Sequence, residues 1–215
     1  MEDAFCNLTD EELNDIEIIE TLRFDPSDGF VRGDLHLARM ARSAAAFDFT
    51  FSLEAAKATL APITSAEPLR VRLSLNRASR FAVSSVALAP NPASWNFAIA
   101  IERLDAANPW LRHKTTRRAV YNRHRAELPL GLDEIIFCNL SGDLCEGTIT
   151  NLFVQKRGAL LTPPLASGLL PGVLREQLIA EGKAREAKLM PGDLVNAEAI
   201  FLGNSLRGLI AAKLI

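Results

Sequence analysis

The chain has 215 residues, with 24 Lys plus Arg against 26 Asp plus Glu and a net charge of −2. That near-balance gives no electrostatic case for binding nucleic acid or an anionic membrane surface, and the length allows one domain or two small ones around a real core. No apolar run is long enough to cross a membrane. Cys6, Cys138 and Cys145 lack metal-ligand spacing, and their odd number leaves one unpaired in any disulfide scheme. Reduced thiols in a cytoplasmic protein are therefore expected. The acidic start, Met1-Glu2-Asp3, is unlike a signal or transit peptide.

In chain order, Thr9-Asp10-Glu11-Glu12 reads as a capping box or a frayed arm. Residues 16–24 form a strand candidate, followed by the turn cluster Asp25-Pro26-Ser27-Asp28-Gly29 and a returning strand at Phe30-Val31. Asp34 is placed to cap a helix in which Leu35, Leu37, Met40, Ala41, Ala44 and Ala45 recur at helical spacing. Arg39 lies beside that stripe, where an arginine on an amphipathic helix is usually solvated. A second helix is expected over 52–60. Residues 69–75 alternate strictly and read as a strand with Arg70 and Arg72 on one face, and 80–88 as another.

Ala89-Pro90-Asn91-Pro92 disfavours regular structure. It sets the expected organisation: a domain over 1–89, a linker at 90–95 and a second domain over 96–215. That domain opens with a strand near 97–101 and a loop from Asn108 to Lys114. A helix over 115–127 is then expected, so that Lys114 stands just before a helix start, where the dipole lowers the pKa of a cation and holds anions. The chain has only six lysines, so each one raises a question of role. Next come strands over 134–140, 146–155 and 159–162. The turn 165–173 is rich in Gly and Pro and opens a helix over 173–181, offering backbone N–H groups to a phosphate. A short helix at Pro191, a strand over 199–202 with the polar end Gly203-Asn204-Ser205, and an apolar strand over 206–215 close the chain.

The most informative stretch is Cys145-Glu146-Gly147-Thr148-Ile149-Thr150-Asn151-Leu152-Phe153-Val154. Read as one strand, it places Asn151 between Ile149 and Phe153 on an apolar face, where an unpartnered amide costs about 1–3 kcal/mol. Glu146 emerges beside the same strand. The pair reads equally as a satisfied structural hairpin pair or as groups holding something polar. A lysine, a carboxylate by a buried strand, a Gly-rich turn opening a helix and a small-polar turn are the groups that pyridoxal phosphate uses. The amine forms a Schiff base, the carboxylate keeps the pyridine nitrogen protonated, and helix amides with an arginine take the phosphate.

Five segments, in order, resemble the fold-type IV (class IV) pyridoxal-phosphate enzymes, which include branched-chain aminotransferases, D-amino-acid aminotransferases and 4-amino-4-deoxychorismate lyases. They are Ile19-Glu20-Thr21-Leu22-Arg23; His36-Leu37-Ala38-Arg39-Met40-Ala41-Arg42-Ser43-Ala44; His113-Lys114-Thr115-Thr116; Glu146-Gly147-Thr148-Ile149-Thr150-Asn151-Leu152-Phe153; and Leu170-Pro171-Gly172-Val173-Leu174-Arg175. The resemblance implies an α+β, two-domain protein with a small α/β N-terminal domain and a larger mixed-sheet, cofactor-binding C-terminal domain. It implies that Lys114 is the Schiff-base lysine and shuttles the substrate proton, and that Glu146 faces the pyridinium nitrogen. Arg39 and the amides of Val173 and Leu174 would bind the phosphate, and Asn204 or Ser205 would close the cup. Tyr121, the only tyrosine, is seven residues from Lys114 and stands either for the ring-hydroxyl partner or for packing in the following helix.

Within the class the chain is most similar to the lyase branch. Lys114 through Tyr121 and Asn204-Ser205-Leu206-Arg207-Gly208 resemble the lyase-like domain fused behind a para-aminobenzoate synthase component, and Thr21 replaces the glycine usual in branched-chain aminotransferases. Thr21, Arg23, Arg72 and Arg207 are the implied substrate contacts, each arginine having surface solvation as its plainer reading. The implied activity is 4-amino-4-deoxychorismate lyase of folate biosynthesis, releasing pyruvate and 4-aminobenzoate. The alternatives are an amino acid aminotransferase or a catalytically weak homologue that binds the cofactor or a synthase component. A homodimer is implied by the class. The short acidic arm before Glu20 departs from most relatives and removes pocket wall that their N-termini supply.

Overall fold

The computed structural model describes residues 15–215, so the capping-box reading at Thr9-Asp10-Glu11-Glu12 and Cys6 lie outside it. The described residues divide into two units, one running to Ala89 and including His113–Arg117, the other Pro90–Arg112 with Arg118–Ile215.

The first unit is built on β1 (Glu17–Asp25), β2 (Gly29–Val31), β3 (Leu69–Asn76) and β4 (Phe81–Ala87), all antiparallel in the order β2-β1-β3-β4. Alternation gives the sheet two unlike faces. Ile18, Glu20 and Leu22 of β1 stand opposite Leu75, Leu73 and Val71 of β3, and all six are buried. Helix α1 (Gly33–Ala46) packs on β1 and buries Leu37, Met40 and Ala44. The other face carries Thr21 opposite Arg72 and Arg23 opposite Arg70. Asp34 sits inside the first turn of α1, while the N-cap is Arg32, left-handed at φ 58° with no side-chain cap. Tight reversal after the three-residue β2 leaves no extended residue to cap from. Helix α2 (Leu53–Leu60) starts as its sequence implies, the Ala55 N–H donating to Ser52 Oγ at 3.1 Å.

The segment His113–Arg117, which the sequence reading assigns to the second domain, belongs to the first unit. It runs against β1: Ile19 N–H donates to Lys114 O (2.8 Å), Thr116 N–H to Glu17 O (2.9 Å) and Glu17 N–H to Thr116 Oγ1 (3.0 Å). These extended bonds compete with a helix, and two adjacent threonines favour them. The following helix, α3, is therefore Ala119–Ala126 rather than 115–127.

The second unit holds β5 (Trp95–Leu104), β6 (Glu134–Asn139), β7 (Leu144–Gly147), β8 (Asn151–Lys156), β9 (Ala159–Thr162), β10 (Arg185–Glu186), β11 (Ala199–Asn204) and β12 (Gly208–Leu214). Their order is β10-β9-β8-β11-β12-β5-β6-β7, and β7 also pairs β8, so six of the strands close a ring. Helices α4 (Val173–Ala180) and α5 (Pro191–Val195) and 3₁₀ turns at Pro109–Arg112 and Leu165–Ser167 fill the connections. β6 is buried along its whole length. Ile136 and Cys138 join the cluster of Phe97, Leu144, Leu152 and Leu202, while Ile135 and Phe137 join that of Leu104, Leu111 and Cys145. A strand buried on both faces reads as an unbroken apolar run, which is how it appears in sequence. No helix among the described residues is long and apolar enough to cross a membrane.

Candidate active site

The stretch read as one strand over 146–155 is a tight hairpin: β7 ends at Gly147, β8 starts at Asn151, and Glu146 pairs Asn151 directly. A buried carboxylate shapes the reversal. Glu134, 0% exposed, accepts from Thr148 N–H (3.0 Å), Ile149 N–H (3.2 Å), Thr150 Oγ1 (3.0 Å) and the Thr148 hydroxyl. A Cβ on Gly147 would press within 2.9 Å of that carboxylate, so the close approach requires glycine. The carbonyls of the turn are tied as well, Thr148 O by Arg118 (2.6 Å) and Ile149 O by Asn204 Nδ2 (3.1 Å).

Fixing this turn fixes Glu146, which is 5% exposed. Its Oε1 accepts the Tyr121 hydroxyl at 2.7 Å and its Oε2 the Leu170 N–H at 3.1 Å. Both donors favour the ionised, acceptor-only carboxylate. Tyr121 stays a phenol: burial first, then the charge and hydrogen bond of Glu146, raises its pKa far above the ordinary value. Arg112 adds a cation within electrostatic reach of Glu146. The neighbouring Cys145 thiol is pushed up to about 12, by burial above all and then by Glu146, and so is no nucleophile.

Leu170 leads into the turn that opens α4. Its carbonyl accepts from Asn151 Nδ2 at 3.1 Å. Gly172 is the N-cap of α4, and no side chain caps that end. The amides of Val173 and Leu174 thus stand in the first turn of an eight-residue helix without a side-chain cap. Asn204 is committed elsewhere: its Nδ2 donates to Ile149 O and its Oδ1 accepts Arg207 N–H at 2.9 Å. It is a staple between two turns. Ser205, 6% exposed, follows it directly. The Arg207 guanidinium donates to Asn91 Oδ1 (3.0 Å) and the Arg207 carbonyl accepts from Asn91 Nδ2 (2.7 Å), which ties this turn to Asn91.

In the first unit, Arg39 is 4% exposed rather than solvated. Its Nε donates to Glu20 Oε1 (2.8 Å) and its Nη2 to Glu20 Oε2 (2.6 Å), a bidentate pair that fixes the guanidinium plane. His36, one helical turn away on the same face of α1, has Nδ1 2.6 Å from Glu20 Oε2. Burial would raise the Glu20 carboxyl, but the charge of Arg39 and the hydrogen bonds from His36 and Arg39 outweigh it and bring its pKa down to about 2. Burial lowers the His36 pKa despite Glu20, and the charges of Arg39 and Lys114 lower it further, so the neutral ring donates Nδ1–H to the carboxylate. Lys114 is anchored through its carbonyl to Ile19, next to Glu20. It does not sit at a helix start, because α3 begins at Ala119, so the helix-dipole argument for its pKa falls. On the polar face, Arg23 Nη2 pairs Asp25 (2.8 Å) while its buried Nε has no partner, and Arg72 pairs Glu17 at 3.3 Å.

Sequence reasoning missed Glu134, Glu20, His36 and Arg112. The first two carried a signal, Glu20 as a carboxylate inside an apolar strand pattern and Glu134 as one at the start of an apolar run.

The family model described as Amino-transferase class IV matches residues 17–215. Two curated relatives, both provisionally named, are a branched-chain-amino-acid aminotransferase of Thermotoga maritima and an aminodeoxychorismate lyase of Schizosaccharomyces pombe. The first is 32% identical over 100 residues, covering 41% of this chain and 37% of the relative. The second is 34% identical over 115 residues, covering 50% and 49%. The chain thus spans less than half the length of either. A crystal structure from Mesorhizobium loti, provisionally an amino-acid aminotransferase, is 43% identical with a TM-score of 0.87, covering 94% of this chain and all of that one.

Proposed function

The chain belongs to the amino-transferase class IV family, an enzyme family whose cofactor is pyridoxal 5'-phosphate, and on that premise we propose that it is a 4-amino-4-deoxychorismate lyase releasing pyruvate and 4-aminobenzoate. The residues present fit that cofactor. Glu146 is a buried carboxylate held as an acceptor, α4 offers amides that no side chain caps, and Arg39 is a pre-oriented guanidinium. When bound, the cofactor supplies an electron sink conjugated to the substrate nitrogen. In this reading Glu146 accepts from the pyridine N–H, with Tyr121 as the partner of Glu146 rather than of the ring hydroxyl. The Val173 and Leu174 amides and Ser205 would hold the phosphate, and the family resemblance assigns Arg39 to the same group. Lys114 Nζ would hold the cofactor and is the group that would take the proton from the substrate ring carbon. Loss of that proton and of the enolpyruvyloxy group, which takes up a proton and leaves as pyruvate, would give an aromatic ring, and this aromatisation would favour the reaction.

What supports a lyase is the polar face of β1 and β3. Thr21 stands opposite Arg72, with Arg23 two residues on, and the Arg23 Nε is buried without a partner. A substrate with two carboxylates needs such cations, whereas a branched-chain side chain needs apolar wall. Arg207 is a further candidate for those carboxylates. The test is pyruvate release from 4-amino-4-deoxychorismate with no keto-acid acceptor, which is expected from the wild-type protein and absent from Lys114→Ala. The provisional name of the Mesorhizobium structure favours the second reading, an amino acid aminotransferase. Activity only with an amino acid and 2-oxoglutarate would establish that instead. A homodimer and a para-aminobenzoate synthase partner belong to the same proposal, and light scattering with and without the synthase component tests both.

A further inference from the structure

Glu146 and Asn151 are cross-strand partners, so their side chains leave the same face of the β7–β8 hairpin. Both reach one residue of the turn opposite. Glu146 Oε2 accepts the Leu170 N–H at 3.1 Å, and Asn151 Nδ2 donates to the Leu170 carbonyl at 3.1 Å. Leu170 is therefore gripped on both its main-chain groups. Two residues later Gly172 starts α4, and a Cβ there would overlap Asn151 Oδ1. Asn151, 5% exposed, thus packs under the N-cap residue itself as well as tying down the chain that leads to it. An amide in this position holds a backbone turn at a set height above the strand, which an apolar residue of equal size cannot do.

We propose that Asn151 is a positioning residue for the cofactor phosphate: with Glu146 it forms a clamp on Leu170 that sets the distance from the carboxylate facing the ring nitrogen to the amides of Val173 and Leu174. This rests on the class IV reading of Glu146 and of the α4 turn. The clamp explains why the sequence places an amide one short turn after the carboxylate. Glu146 secures the ring end and Asn151 the phosphate end, and the shared Leu170 makes the two ends one rigid unit.

Removing the phosphate from the ligand separates the two ends. Titrate the apoprotein with pyridoxal 5'-phosphate and with pyridoxal, reading the visible absorption of the bound ligand and the thermal melt of each variant. Asn151→Ala is expected to weaken pyridoxal 5'-phosphate at least tenfold and pyridoxal less than twofold, whereas Glu146→Gln weakens both alike. Asn151→Ser, too short to span to the Leu170 carbonyl, carries the same expectation should the alanine variant not fold. Gly172→Ala, which drives a methyl into the Asn151 amide, is expected to show the same phosphate-selective loss, and Asn151→Ala/Gly172→Ala no greater loss than the weaker single variant. Equal weakening of both ligands by the Asn151 variants, or unchanged affinity for both, would overturn the clamp while leaving the class IV reading standing. A wild-type protein that binds neither ligand overturns that reading and the clamp with it.

Discussion

Glu134 shows how much one side chain can organise. A fully buried carboxylate takes N–H and hydroxyl donors from three successive residues, Thr148, Ile149 and Thr150, and an Arg125 guanidinium stands 3.7 Å away. Removing it strands several buried donors at once, each with a desolvation cost. Glu134→Ala is expected to lower the unfolding free energy by about 3 kcal/mol, measured by urea titration, and Glu134→Gln by less, because one oxygen still accepts. A loss within experimental error would mean that the turn holds itself. The residue was legible in sequence only as the polar start of an apolar run, since the donors of the turn it holds lie fourteen to sixteen positions away.

At the scale of elements, α3 has no fully buried residue, and its mean apolar content is low. It is held by Tyr121 and His124, which stack edge-on against Phe137 at 5.5 and 5.0 Å, and by the Tyr121 hydroxyl on Glu146. Tyr121→Phe keeps the ring contact and removes only the hydrogen bond to a charged acceptor. The expected loss is about 1.5 kcal/mol of stability, with weaker binding of pyridoxal 5'-phosphate, because Glu146 is less well held. Unchanged cofactor affinity in an equilibrium titration would assign Tyr121 to packing alone. The helix was legible as a helix, but its first turn was not: the residues from Thr115 to Arg118 have partners on β1 and on the 147–150 turn, which no local pattern contains.

At the scale of the whole molecule, acid acts through the Glu20 cluster. The folded Glu20 pKa is about 2 against 4.5 for the unfolded chain. A depressed carboxyl pKa means that the unfolded chain binds the proton first, so this contribution is complete above pH 4.5 and is lost as pH falls toward 2. The His36 pKa is also lowered, from 6.5, so the unfolded chain again takes the proton first, and stability falls as pH drops below 6.5. Both signs agree: the fold weakens with acid. Melting temperatures measured from pH 7 down to pH 3 are expected to fall more steeply for wild type than for Glu20→Gln, which starts lower and flattens below pH 4.5. Parallel curves for the two proteins would show that Glu20 does not control the acid response.

By itself, the sequence determined what short-range pattern can carry. Alternation in 69–75 set a strand with Arg70 and Arg72 on one face, Ser52 set the start of α2, and five segments in order carried the resemblance to the class. Tertiary structure alone decided whether a polar residue was solvated or gripped. Arg39 looked like a surface arginine until Glu20, nineteen positions earlier, was placed beneath it. Asn204 was read only as one candidate to close the phosphate cup, and the structure adds that its amide staples Ile149 to Arg207. The stretch from Cys145 to Val154 looked like one strand until Glu134 was found to hold it as a hairpin. The reason is common to all three: the free energy of a buried polar group depends on the partner it reaches, and those partners are set by strand order and register rather than by neighbours in the chain.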